Sequence, residues 1–316
     1  MPGDPLPFPV CYVLTGGAGS IYAEMTTVSA LTVLWQHPGT PVVVVTDEAT
    51  GEELARTQAP LFRVARLLPL ASAGADHLAR SRDLKLRLRD EVPGDLLYLD
   101  ADTVVVRPLQ PELWECRVAR LVHDRHDRRG RPVLATLPWV DDLLARAGWP
   151  RPAAYFNSGV MWLPDTPAVR DLCARWRERW RESSRLGTHK DQPALNVALH
   201  QVPEAARPLD GAYNVQVLAT PGLIARARIY HFWAEGGVNL TTPATLLEHL
   251  VVELRRSGRL DTGAIDRSRR RNWPWVRSRG FRSALEAGAW GEAARSALRK
   301  LARTFGGTRA PSLFLG

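Results

Sequence analysis

Leu96-Leu97-Tyr98-Leu99-Asp100-Ala101-Asp102-Thr103 is the stretch on which the reading of this chain turns. An apolar run leads straight into two carboxylates spaced i, i+2. Such a run reads as a strand buried on both faces, as in a parallel sheet covered by helices. In extended chain, residues two apart point the same way, so both carboxylates share one face at the strand's carboxyl end. Open α/β sheets bind their ligands there. Two carboxylates held together repel unless a cation joins them. Hard oxygen donors favour Mg²⁺ or Mn²⁺, which also take substrate phosphates. The competing reading is a strand followed by an acidic turn.

Outward from this stretch, strand and helix signals alternate. Val10–Thr15 is a short apolar strand ending in a turn, Gly16-Gly17-Ala18-Gly19. That turn lacks the third glycine of a dinucleotide fingerprint and is read as a place where backbone approaches a ligand. Ile21–Trp35 reads as a helix, Val42–Thr46 as a buried strand, Glu48–Gln58 as a helix and Phe62–Leu68 as a strand. Asp76–Asp90 is helical, and Thr103–Val106 resumes β after the break at Asp100-Ala101-Asp102. Further on, Ala119–Val122, Tyr155–Leu163 and Arg228–Trp233 are strand candidates, while Pro167–Glu182, Asp191–His200 and Pro243–Arg256 are helical. The pattern predicts an α/β fold with a mixed, mostly parallel central sheet flanked by helices.

The 316 residues suffice for one large domain or two modest ones, and 45% apolar against 24% charged residues is ordinary globular composition. The longest stretch without a formal charge, Met25 to Thr46, is broken by Gln36, His37, Pro38, Gly39 and Pro41, so it does not read as a membrane span. The first ten residues hold Asp4 and four prolines without a basic region, unlike a secretory signal. Cys11, Cys116 and Cys173 are too few and too far apart for a disulfide framework or a zinc site, and they suit a cytoplasmic location. The net charge of +9 is carried by the end of the chain. From Arg255 to Gly316 there are 15 basic and 4 acidic residues, which leaves −2 for the rest. On charge the body is therefore no nucleic-acid binder.

The expected division is a domain over residues 1–254 and a basic, Trp-containing, amphipathic helical C-terminal extension over residues 255–316. In the extension Phe281, Leu285, Trp290, Ala294, Leu298, Leu301 and Phe305 recur near helical spacing, with Arg295, Arg299, Lys300 and Arg303 between them. It reads either as a cap or homodimer contact, or as a peripheral anchor on an anionic membrane at the inner face. His123-Asp124-Arg125-His126-Asp127 is dense in metal-capable groups but fits no metal-cage spacing; it reads as a charged surface loop, with reach into the cleft to contact an acceptor as the alternative.

Four ordered segments resemble the family 8 glycosyltransferases, the glycogenin-like and bacterial galactosyltransferase-like enzymes of the GT-A nucleotide-diphospho-sugar transferase fold. They are Tyr98-Leu99-Asp100-Ala101-Asp102-Thr103, Phe156-Asn157-Ser158-Gly159-Val160, Asp191-Gln192-Pro193-Ala194-Leu195-Asn196 and Tyr230-His231-Phe232. The resemblance spans roughly residues 10 to 240. It implies a retaining transfer from a nucleotide-diphosphate sugar, UDP-linked by preference, to a hydroxyl acceptor on a lipid-linked glycan, peptide or small natural product. It implies that Asp100, Asp102 and His231 hold a divalent metal. An imidazole ligand leans the set towards Mn²⁺, with Mg²⁺ as the alternative. It implies that Leu14, Thr15 and Tyr22 surround the nucleotide, and that Ala101, Asn157, Ser158 and Gly159 line the donor-sugar pocket. Arg82 or Lys85 would reach the donor, and Asp191 and Gln192 would sit at the reacting carbon. Each has a plainer reading: Asp191 as an N-cap, His231 as a core histidine, Arg82 and Lys85 on a solvated helix face.

One departure stands out. Eukaryotic members carry Gly and Lys shortly after the metal histidine, the Lys gripping the diphosphate. Here His231-Phe232-Trp233-Ala234-Glu235-Gly236-Gly237-Val238-Asn239 has no basic residue, which points to Arg226, Arg228 or the basic extension for that grip. A sugar-nucleotide hydrolase, a nucleotidyltransferase and a non-catalytic sugar-nucleotide-binding protein remain as rival functions. A nucleotidyltransferase would show a Gly-rich Arg-Lys signature after the first strand, which Gly16–Ser20 lacks.

Overall fold

The computed structural model describes residues 2–305 apart from 73, 128, 135, 234–237, 278 and 279. In its first third, strands β1 (Val10–Leu14), β2 (Val42–Asp47), β3 (Arg66–Leu70) and β4 (Leu96–Leu99) are separated by helices α1 (Ile21–Gln36), α2 (Glu48–Arg56), α3 (Pro60–Val64) and α4 (His77–Glu91). The strand expected over Phe62–Leu68 is a correction: Phe62 lies in α3, and β3 begins at Arg66. Pro60 occupies the first turn of α3, where its fixed φ and missing N–H favour a helix start. Pro69 is tolerated in β3 because that strand is the sheet's edge.

The chain continues through β5 (Thr103–Val105), β6 (Ala119–His123), α5 (Pro138–Ala147), β7 (Phe156–Leu163), α6 (Pro167–Arg185), α7 (Gln192–Gln201), β8 (Ala206–Leu209), β9 (Val215–Gln216) and β10 (Ile229–His231). Seven strands form one sheet in the order β3-β2-β1-β4-β7-β6-β8. Its pairs are parallel except for the two made by β7. β5, β10 and β9 form a second, three-stranded sheet. The expected mixed, mostly parallel α/β architecture is the observed one.

The chain changes sheets at Asp100-Ala101-Asp102. The Asp100 amide still donates to Gly159 O on β7, at 2.8 Å. Thr103 then turns back, its amide and hydroxyl both donating to Asp100 O, and pairs with His231 across the small sheet. The two carboxylates thus straddle the junction between the sheets.

Four further helices follow: α8 (Leu246–Ser257), α9 (Thr262–Arg271), α10 (Phe281–Glu286) and α11 (Trp290–Phe305). α8 opens on a capping box between Thr245 and Glu248 and runs across the position expected as a domain boundary. Beyond it, Trp273 and Trp275 pack at a tilt with ring centroids 4.6 Å apart and are buried with Leu246, Leu250 and Ile265. Ala284, Ala287, Ala289 and Ala293 belong to the same cluster, together with Val104, Val215 and Tyr230 of the small sheet. Among the described residues no helix is long and apolar enough to cross a membrane.

Candidate metal centre

Asp100, Asp102 and His231 converge, each offering a ligand atom within 4.8 Å of the others. His231 Nε2 lies 3.2 Å from Asp102 Oδ1 and 3.9 Å from Asp100 Oδ2. The far ring nitrogen, Nδ1, donates to Asn214 Oδ1 at 2.8 Å, which leaves Nε2 facing the carboxylates. Burial alone would lower the His231 pKa, but Asp102 and then Asp100 more than reverse it, so the imidazole titrates above its ordinary value.

The residues fit a divalent cation. Two carboxylates and one imidazole suit Mn²⁺ or a similar ion. Gly159 supplies the room. A Cβ there would lie 2.5 Å from His231 Cε1, 2.7 Å from Asp100 Oδ2 and 2.9 Å from Asn157 Oδ1. Tyr98 fixes the first carboxylate, its hydroxyl donating to Asp100 Oδ1 at 2.5 Å.

Cations from α4 complete the cluster. Lys85, only 1% exposed at its side chain, places Nζ 3.3 Å from Asp100, 3.1 Å from Asp191 and 3.3 Å from Ser158 Oγ. Arg82 Nε lies 3.2 Å from Asp191. So the two basic residues face the same group and neither sits on a solvated face. Asp191 stands at the N-cap of α7 but its side chain makes no capping bond. Burial would raise its pKa, yet Lys85 and Arg82 hold it down at about 2, so it is ionised at neutral pH. Lys85 Nζ stands directly against the buried Asp191 Oδ2, and Arg82 against Oδ1.

A chain of amides leads away from the cluster. Asn214 Nδ2 donates to Asn157 Oδ1, while Asn157 Nδ2 donates to both Asp124 Oδ1 and Gln192 Oε1. The Ser158 amide also donates to Gln192 Oε1, at 3.3 Å. Gln216 Nε2 closes the network on Asp124. Asp124 therefore corrects the surface-loop reading of His123–Asp127: it is 8% exposed and bound into the site. Its signal was its place directly after a strand next to the metal motif. Asn214 and Gln216 carried no signal, since β9 is two residues long.

The other candidates sit around this core. Leu14 is buried in the main-sheet core. Thr15 donates to His77 O at 2.6 Å, and Tyr22 and Ala101 are partly buried beside α1 and the small sheet. The Gly16 and Gly17 amides both donate to Thr50 Oγ1, so that turn is held by α2. Arg226 pairs with Asp210 at 3.5 Å, and Arg228 donates to Pro108 O and lies over Tyr213. Their recorded partners lie outside the cluster, and Lys85 and Arg82 stand in it. The segment without a basic residue, Ala234 to Gly237, lies outside the described residues. At its entrance Trp233, at φ +52° and 44% exposed, lies under the Arg125 guanidinium.

No protein-family model and no curated protein matches the chain. Solved structures similar to it include LgtC, a galactosyltransferase, in complex with donor and acceptor sugar analogs. It is 17% identical with a TM-score of 0.48, over 72% of this chain and 87% of that one. An active-site mutant of LgtC is 16% identical with a TM-score of 0.49, over 74% and 90%. Mouse xyloside xylosyltransferase 1, in apo form, is 14% identical with a TM-score of 0.46, over 75% and 100%.

Proposed function

We propose that this chain is a divalent-metal-dependent, retaining glycosyltransferase that moves a sugar from a nucleotide-diphosphate donor, UDP-linked by preference, to a hydroxyl acceptor. The observation that carries the reading is the convergence of Asp100, Asp102 and His231 at the sheet junction, with buried Lys85 between Asp100 and Asp191. Mn²⁺ held by those three ligands would neutralise charge on the departing diphosphate and orient it.

The chain's own groups supply the rest. Lys85 and Arg82 offer positive charge to the donor where the expected lysine after His231 is missing. Ionised Asp191, held between Lys85 and Arg82, places negative charge that would stabilise the positive charge building at the anomeric carbon. Asn157 spends both amide hydrogens and both oxygen lone pairs inside the protein, so its part is to hold Gln192 and the Gly159 backbone in place beside the sugar. Gln192 is neutral and already hydrogen-bonded, a poor nucleophile for double displacement. A front-face route fits better: the leaving phosphate oxygen takes the acceptor proton while the acceptor oxygen bonds to the carbon on the same face.

The test is a thermal-shift panel of nucleotide-diphosphate sugars, each with Mn²⁺, Mg²⁺ or EDTA. Binding to the folded state alone raises Tm by mass action. A shift confined to one nucleotide family and abolished by EDTA supports the reading. A folded sample that shifts with no donor overturns it.

A further inference from the structure

The C-terminal helices divide into a packed part and an exposed part. Trp273, Trp275, Ala284, Ala287, Ala289 and Ala293 belong to the cluster that covers the small sheet. α11 has Ala293 on the body side, 2% exposed, while Trp290, Leu298 and Leu301 are 71%, 64% and 51% exposed. These three, with Ala294, are spaced so that they form a single stripe along the helix. Arg295 borders the stripe and Arg299 lies on the polar face beyond it, and both are exposed. Apolar side chains of this size rarely stand in water in a row unless they meet something.

We propose that α11 lies in the surface of an anionic lipid bilayer, with Trp290, Leu298 and Leu301 in the headgroup–acyl boundary and Arg295 and Arg299 on the polar face among the headgroups. The charge favours lipid over a second copy of the chain. The extension carries 15 basic against 4 acidic residues, so two copies repel while an anionic surface attracts. Area argues the same way. From Trp290 to Leu301 the stripe is about 16 Å long, and at ~10 Å wide it presents roughly 160 Å², far short of the ~800 Å² per partner of a stable interface. α10 and α11 pack against each other as a helical hairpin.

Flotation of the full chain with vesicles tests this without any donor or activity. Phosphatidylglycerol–phosphatidylcholine vesicles should carry the protein up at 0.1 M salt, pure phosphatidylcholine vesicles should not, and 0.5 M salt should release it. Arg299→Ala should lower partition about fivefold. Leu298→Ser with Leu301→Ser should lower it at least tenfold with an unchanged Tm, because both side chains are already exposed. Wild-type protein that stays down with the anionic vesicles overturns the proposal, as does a double variant that floats equally well. A concentration-dependent dimer that the double variant dissolves, in protein that ignores vesicles, assigns the stripe to a second copy and also overturns it.

Discussion

The cleft and the C-terminal hairpin are both rich in charge, and they use it in opposite ways. In the cleft, buried Lys85 and Asp191 meet partly exposed Asp100, the three coming from separate elements. In the hairpin, Arg282 pairs with Glu286 one turn on, and Arg295 with Glu292 three residues back, at the surface. Exposed pairs of that kind contribute little, because solvent screens them and side-chain entropy opposes them. Buried charges are costly unless every partner is present. Their persistence in the cleft marks a place where ionised groups are needed.

The largest break in the contrast is removal of both carboxylates. Asp100→Ala with Asp102→Ala should cut donor turnover about a thousandfold. EDTA on the wild type should match it, measured as nucleotide release with and without Mn²⁺. Next is Lys85→Met, which leaves Asp100 and Asp191 uncompensated. It should cost about 3 kcal/mol in urea unfolding. Gln192→Ala should lose about tenfold to a hundredfold in turnover, the effect of lost hydrogen bonds. Activity as low as in the double aspartate variant would instead assign Gln192 the nucleophile's part.

Asp191 sharpens the comparison through pH. Its folded pKa of about 2 is below the unfolded value, so the stabilisation is present above about pH 4 and is lost as pH falls through 2. The size is on the order of 2 kcal/mol. Urea midpoints between pH 5 and 2.5 should fall more steeply for wild type than for Asp191→Asn. The smallest effect belongs to the hairpin: Arg295→Ala should stay within about 0.5 kcal/mol. A cost equal to that of Lys85→Met would erase the distinction between the two regions.

What could be read in advance follows the same division. The strand before Asp100, the helices around it and the turn at Gly16 are local patterns, and the structure has them within a residue or two. The sheet order and the partnership of Lys85 with Asp191 arise from topology, which no local window contains. Asp124 was misread because a charged run looks solvated until a second sheet covers it. Phe62 was misread because an apolar window hid the helix start that Pro60 dictates. The exposed stripe of α11 was visible as periodicity, but only packing separates it from Trp273 and Trp275, which the small sheet keeps.

Gly159 concentrates much of this into one missing atom. Added carbon at that position collides with the His231 imidazole, the Asp100 carboxylate and the Asn157 amide of the buried network. In a library of every single substitution, position 159 would therefore behave as a near-binary digit, with glycine active and all nineteen alternatives silent. The neighbouring Val160, held only by apolar packing, would grade smoothly with side-chain volume.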